Sequence, residues 1–134
     1  MTFTPKVGLI SCSGEACSGG NISRAATLEV LHHLRPGETV TICLPLFLAG
    51  NEAEREFAKN FPTITIDGCS KLCAAKGTAR YSSEPAQKIN VEDYSGNSCK
   101  GTQERWKIQE SAKLVDKIAQ DIAAHVDHLR EEWR

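Results

Sequence analysis

Four short apolar, β-branched runs alternate along the chain with stretches whose apolar residues return every three or four positions. Val7-Gly8-Leu9-Ile10, Thr39-Val40-Thr41-Ile42-Cys43-Leu44, Thr63-Ile64-Thr65-Ile66 and Gln87-Lys88-Ile89-Asn90-Val91 read as strands. After the first, Ile22, Ala25, Ala26, Leu28, Leu31 and Leu34 make a helical stripe that Asn21 or Ser23 can cap and Pro36-Gly37 ends. Pro45 stops the second run, and Asn51 with Glu54 reads as a cap pair for a helix through Phe61, closed by Pro62. Asp67 or Ser70 can cap a short helix through Ala75, with Gly77 as its stop. Last, Trp106, Ile108, Val115, Ile118, Ile122, Val126, Leu129 and Trp133 predict a helix over about 103–133. Roughly thirty residues at 1.5 Å each would span about 45 Å, more than a small sheet needs, which leaves length to project or to pack on a second copy as a homodimer.

Strands alternating with helices predict a three-layer α/β domain, a four-stranded parallel sheet in the order 2-1-3-4 with right-handed crossovers and a long C-terminal helix. The chain of 134 residues suits one such domain over 1–134. The strand order reverses between strands 1 and 3, and the crevice at such a switch point is where a ligand is expected.

Composition narrows the function. A net charge of −1 with 25% charged and 6% aromatic residues offers no electrostatic or stacking footprint for nucleic acid, and none for an acidic membrane. No apolar run approaches a membrane span, and Met1–Lys6 lacks the form of a secretory leader. The expected location is cytoplasmic, where thiols stay reduced and grouped cysteines serve metal or redox chemistry.

That matters because the chain has six cysteines, at 12, 17, 43, 69, 73 and 99. Cys12, Cys43 and Cys69 fall at or near predicted strand ends, and Cys17, Cys73 and Cys99 in turns or first helical turns nearby. Cys69 and Cys73 share a helix face if the helix has begun by Cys69, and a helix N-terminus stabilises a thiolate. Thiolates bind soft or borderline metals: four held tetrahedrally make a zinc site or an iron–sulfur site. Cys17 and Cys99 are additional candidate ligands or reactive thiols. Asp67 is foremost a helix cap, with bonding to a ligand or accepting a proton as other roles, and Gly68 allows a tight turn or close backbone approach. Ser18, Gly19, Gly20 and Asn21 form a glycine-rich turn suited to a small anionic or sulfur-containing ligand. His32, His33, His125 and His128 read as solvated, as do the lysines and glutamates of the last helix.

Ile66-Asp67-Gly68-Cys69 followed by Cys73 resembles the DGC-domain family, small prokaryotic proteins described as zinc binders. Cys12-Ser13-Gly14 with Asn21 matches the family's opening cysteine and Ser/Gly-rich turn, and Cys43 its second-strand cysteine. The resemblance implies Cys12, Cys43, Cys69 and Cys73 as metal ligands and names no reaction. The chain departs from the family pattern at Leu44-Pro45, where a glycine is usual, and in having Cys17 and Cys99. A second resemblance, of Cys17 to Arg24, is to the anion loop of low-molecular-weight phosphatases and arsenate reductases and implies thiol-based redox or oxyanion chemistry. Here six residues, not five, separate the cysteine from the arginine.

Overall fold

The computed structural model describes residues 6–14, 18–95 and 108–132. Its centre is a sheet of four parallel strands, β1 (Val7–Ser11), β2 (Thr39–Thr41), β3 (Thr63–Asp67) and β4 (Gln87–Asn90), in the order β2-β1-β3-β4. This is the predicted order, and the crossovers, each carrying at least one helix, make its neighbouring strands parallel. The helices are α1 (Ser18–Glu29), α2 (Leu44–Leu48), α3 (Glu52–Arg55), α4 (Phe57–Asn60), α5 (Cys73–Tyr81), α6 (Glu92–Ser95) and α7 (Ile108–Glu132). A π-helical segment, Val30–Leu34, extends α1, and the Arg35 N–H reaches the Val30 carbonyl at 2.8 Å.

Period-two alternation sends Val7, Leu9, Ile64 and Ile66 to one side of the sheet. There they bury against Ile22, Ala26 and Val30 of the first crossover and Ile118, Ala119, Ile122, Val126 and Leu129 of α7. On the opposite side Ile10, Phe57 and Ala74 form a smaller cluster, with Cys12, Val40, Ile42, Leu44 and Phe61 around it. Position 8 also faces this side, and it is glycine where a methyl would collide with the Phe57 ring.

Several boundaries differ from the expected ones for local physical reasons. Pro45 lies in the first turn of α2, which begins at Leu44, where it was expected only to stop a strand; lacking an N–H, it costs that turn nothing. α1 starts at Ser18, so Asn21 and Ser23 lie inside it and do not cap it. Asn51 does cap, its Oδ1 accepting the Glu54 N–H at 3.1 Å, but the helix to Phe61 is broken into α3 and α4. Gly77 lies within α5, which continues to Tyr81. The 25 residues of α7 span about 37 Å, and its apolar stripe is covered by α1 and the sheet of the same chain. Trp106 and Trp133 lie outside the described residues.

Candidate functional site

Cys12 is the first residue beyond β1. Its amide continues the sheet by donating to the Ile66 carbonyl at 3.0 Å. Its Sγ accepts the Gly68 N–H at 3.2 Å, joining positions 56 apart in sequence, and stands 3.6 Å from Ser23 Oγ. The Ser23 hydroxyl proton is already committed to the Gly20 carbonyl at 2.7 Å. The neutral thiol can therefore donate to Ser23 Oγ while accepting from Gly68. Loss of the thiol proton leaves the Gly68 N–H aimed at a thiolate, a stronger, charge-assisted bond.

The Asp-Gly turn that supplies this N–H is tightly held. Asp67 is only 1% exposed, and its two carboxylate oxygens accept from Ala74 N–H at 2.7 Å and Ala75 N–H at 3.1 Å. It caps α5 as expected, but the helix begins at Cys73 and not near Cys69. Residues 69–72 form a turn closed by Leu72 N–H to the Cys69 carbonyl at 3.1 Å, with Leu72 left-handed at φ 53°. Cys69 precedes the helix and Cys73 opens it, so the expected common helix face does not form. Burial pushes the Asp67 carboxyl above its ordinary value; the two amides and the Lys76 charge pull against that shift without cancelling it.

Gly68 has a second reason to be glycine. A methyl here would strike the backbone of Gly19 and the amide nitrogen of Gly20, and one on Gly20 would strike the backbone of Gly14. The Ser18–Asn21 turn is thus the first turn of α1, laid backbone against backbone on the Asp-Gly turn. These glycines fill the space between the ends of β1 and β3. The open cavity lies one strand over, at the ends of β1 and β2 between α1 and α2. It has a volume of about 600 Å³, and both Cys12 and Cys43 line it.

A family model, that of the DGC domain, matches residues 8–118. The chain belongs to the DGC-domain family. No curated protein and no solved structure matches it. The stretch matched as a DGC domain contains all six cysteines, from Cys12 to Cys99.

Four thiols of this DGC domain lie in its described part, none in a disulfide: Cys12 and Cys69 half-buried, Cys43 and Cys73 exposed. Cys43 precedes α2, and its N–H meets Glu54 Oε2 at 3.3 Å. The donor set suits a thiophilic ion. Among the described residues, however, no three Cys, His, Asp or Glu side chains stand close enough together to hold one. Cys17 and Cys99 lie outside those residues. Also among the described residues, the two non-glycine positions with left-handed φ are Ser13, directly after Cys12, and Leu72, directly before Cys73. Such conformations cost of order 1–3 kcal/mol and gather at functional sites. Sequence reasoning missed Ser23, the partner of Cys12; a serine within an apolar helical stripe was the available signal. Arg24 belongs to the second turn of α1, three residues after Asn21 and four after Gly20. No described helix is long and apolar enough to cross a membrane.

Proposed function

We propose that this DGC domain binds a metal ion, zinc in the first place, through the thiolates of Cys12, Cys43, Cys69 and Cys73 at the C-terminal edge of its sheet. One observation carries the reading: the Cys12 sulfur is bonded to the backbone of the very turn that presents Cys69. A d¹⁰ ion tolerates an irregular thiolate shell and needs no fixed d-electron geometry. The Gly68 N–H supports the charge on sulfur from outside the shell, as partners of metal ligands commonly do. Because the thiols do not converge in the structure described above, closing a shell requires the 69–73 turn and the segment around Cys43 to move, and metal uptake is coupled to ordering of both.

Protein purified without oxygen is expected to carry near-stoichiometric metal by elemental analysis, with no visible absorption if the ion is zinc. Charge-transfer bands and iron would assign an iron–sulfur cluster instead. The double variant Cys69→Ser, Cys73→Ser should lose the metal while staying folded. Wild-type protein free of metal, with all its thiols titratable, would overturn the proposal.

A second reading rests on the same Gly68-to-Cys12 bond. There the sulfur, held by a backbone N–H, serves redox or oxyanion chemistry with no metal at all. Fast alkylation of Cys12 near neutral pH in metal-free protein supports it, and uniformly slow alkylation there removes it.

A further inference from the structure

The cavity between α1 and α2 has a chemistry separate from its two thiols. Its roughly 600 Å³ lies within the range of small-molecule sites. Ile10, Leu28, Leu31, Ile42, Leu44 and Leu48 give it apolar walls. Two of these leucines, one from each helix, stay uncovered: Leu28 is 38% and Leu48 55% exposed. Solvent-facing leucines that line one hollow from two sides expose apolar surface that a ligand would remove from water.

The polar groups of the wall are nearly all occupied. Ser11 and Ser13 hydroxyls bond each other at 2.7 Å, Thr27 donates to the Ser23 carbonyl at 2.8 Å, and Thr41 to the Leu9 carbonyl at 2.6 Å. Arg24 is different. It lies one turn before Leu28 on α1, lines the cavity, and forms no ion pair or hydrogen bond among the described residues. Among the described residues, no Asp or Glu shares the lining. Among its described residues, the hollow therefore presents one cation with no acidic partner, above an aliphatic surface.

We propose that this cavity binds a small organic monoanion, a carboxylate with an aliphatic chain. Arg24 grips the carboxylate through its planar fork, and Leu28, Leu31 and Leu48 cover the chain. The proposal goes beyond metal binding and does not depend on it, although Cys12 and Cys43 border both sites.

Titration calorimetry of the protein as purified, with octanoate against octanol as probes and metal content measured on each sample, tests it. Octanoate should bind about tenfold more tightly than octanol, the difference a charge-assisted contact supplies. Arg24→Gln should abolish that preference and leave octanol unaffected, whereas Leu28→Gln should weaken both probes, with metal content unchanged in either variant. No octanoate binding to the wild type, or equal binding to Arg24→Gln, would overturn the proposal. A metal-free protein that still shows the Arg24-dependent preference would sink the metal reading alone.

Discussion

On one side of the sheet the strands present Val7, Leu9, Ile64 and Ile66; on the other, neighbouring positions of the same strands are Gly8, Ile10, Thr63, Thr65 and Asp67. The first side meets α1 and α7, two long helices whose apolar stripes cover it completely. The second meets the short helices α2 to α5, and there Thr65 and Thr78 are buried with no hydrogen-bond partner for either hydroxyl among the described residues. An unsatisfied buried hydroxyl costs roughly 1–3 kcal/mol, which the apolar side must offset. The contrast separates stability from chemistry. The α1/α7 side holds the sheet together, and the side that carries Asp67 and packs on Cys12 tolerates polar groups in return for a preorganised Asp-Gly turn.

The strongest way to break this division is to damage the apolar side. Ile122→Ala, at a fully buried position of α7, should cost about 2–5 kcal/mol in denaturant unfolding. Metal bound per folded molecule should not change; a proportional loss would show that the two sides are one cooperative site.

Gly68→Ala comes next. Its methyl must displace the first turn of α1, at about 1–3 kcal/mol, and the shift takes the Gly68 N–H away from Cys12. Without that bond the rate of Cys12 alkylation should change. Unchanged alkylation would show that this N–H does not tune the sulfur.

Asp67→Asn should cost about 1–2 kcal/mol as a weakened cap, because one of two amide N–H groups then faces an NH₂. Its pH dependence carries a sign. A carboxyl raised in the folded state binds more protons folded than unfolded just above its ordinary value. Its stabilising contribution is full in acid and falls as pH rises through the raised value. The advantage of wild type over Asp67→Asn should thus shrink as pH rises above about 4, the ordinary carboxyl value. An advantage that grows with pH would mean the two amide bonds outweigh burial.

The smallest effect has the opposite sign. Thr65→Val removes an unpaired hydroxyl at constant shape and should stabilise the protein by up to about 1 kcal/mol, read as a higher midpoint of unfolding. Destabilisation would reveal that a water satisfies the hydroxyl.

What could be read directly from the chain was what depends on neighbours in sequence. Alternation of β-branched runs with helical stripes determined a parallel sheet, because each crossover is long enough for a helix and only one hand packs back well, and the order of its strands agrees with the expected one. The Asn51 cap and the capping role of Asp67 were legible from side-chain chemistry alone. Tertiary contact decided the rest. Asp67 reaches across a turn with a left-handed Leu72, so α5 begins at Cys73 and the two motif thiols part company. Gly68 is glycine chiefly because Gly19 and Gly20, nearly fifty residues earlier, lie against it. That packing fills the switch point and leaves the cavity beside Cys12 and Cys43 instead. Periodicity reports which face of an element is apolar; which backbone comes to rest against which depends on steric fit between distant segments, and no local pattern carries it.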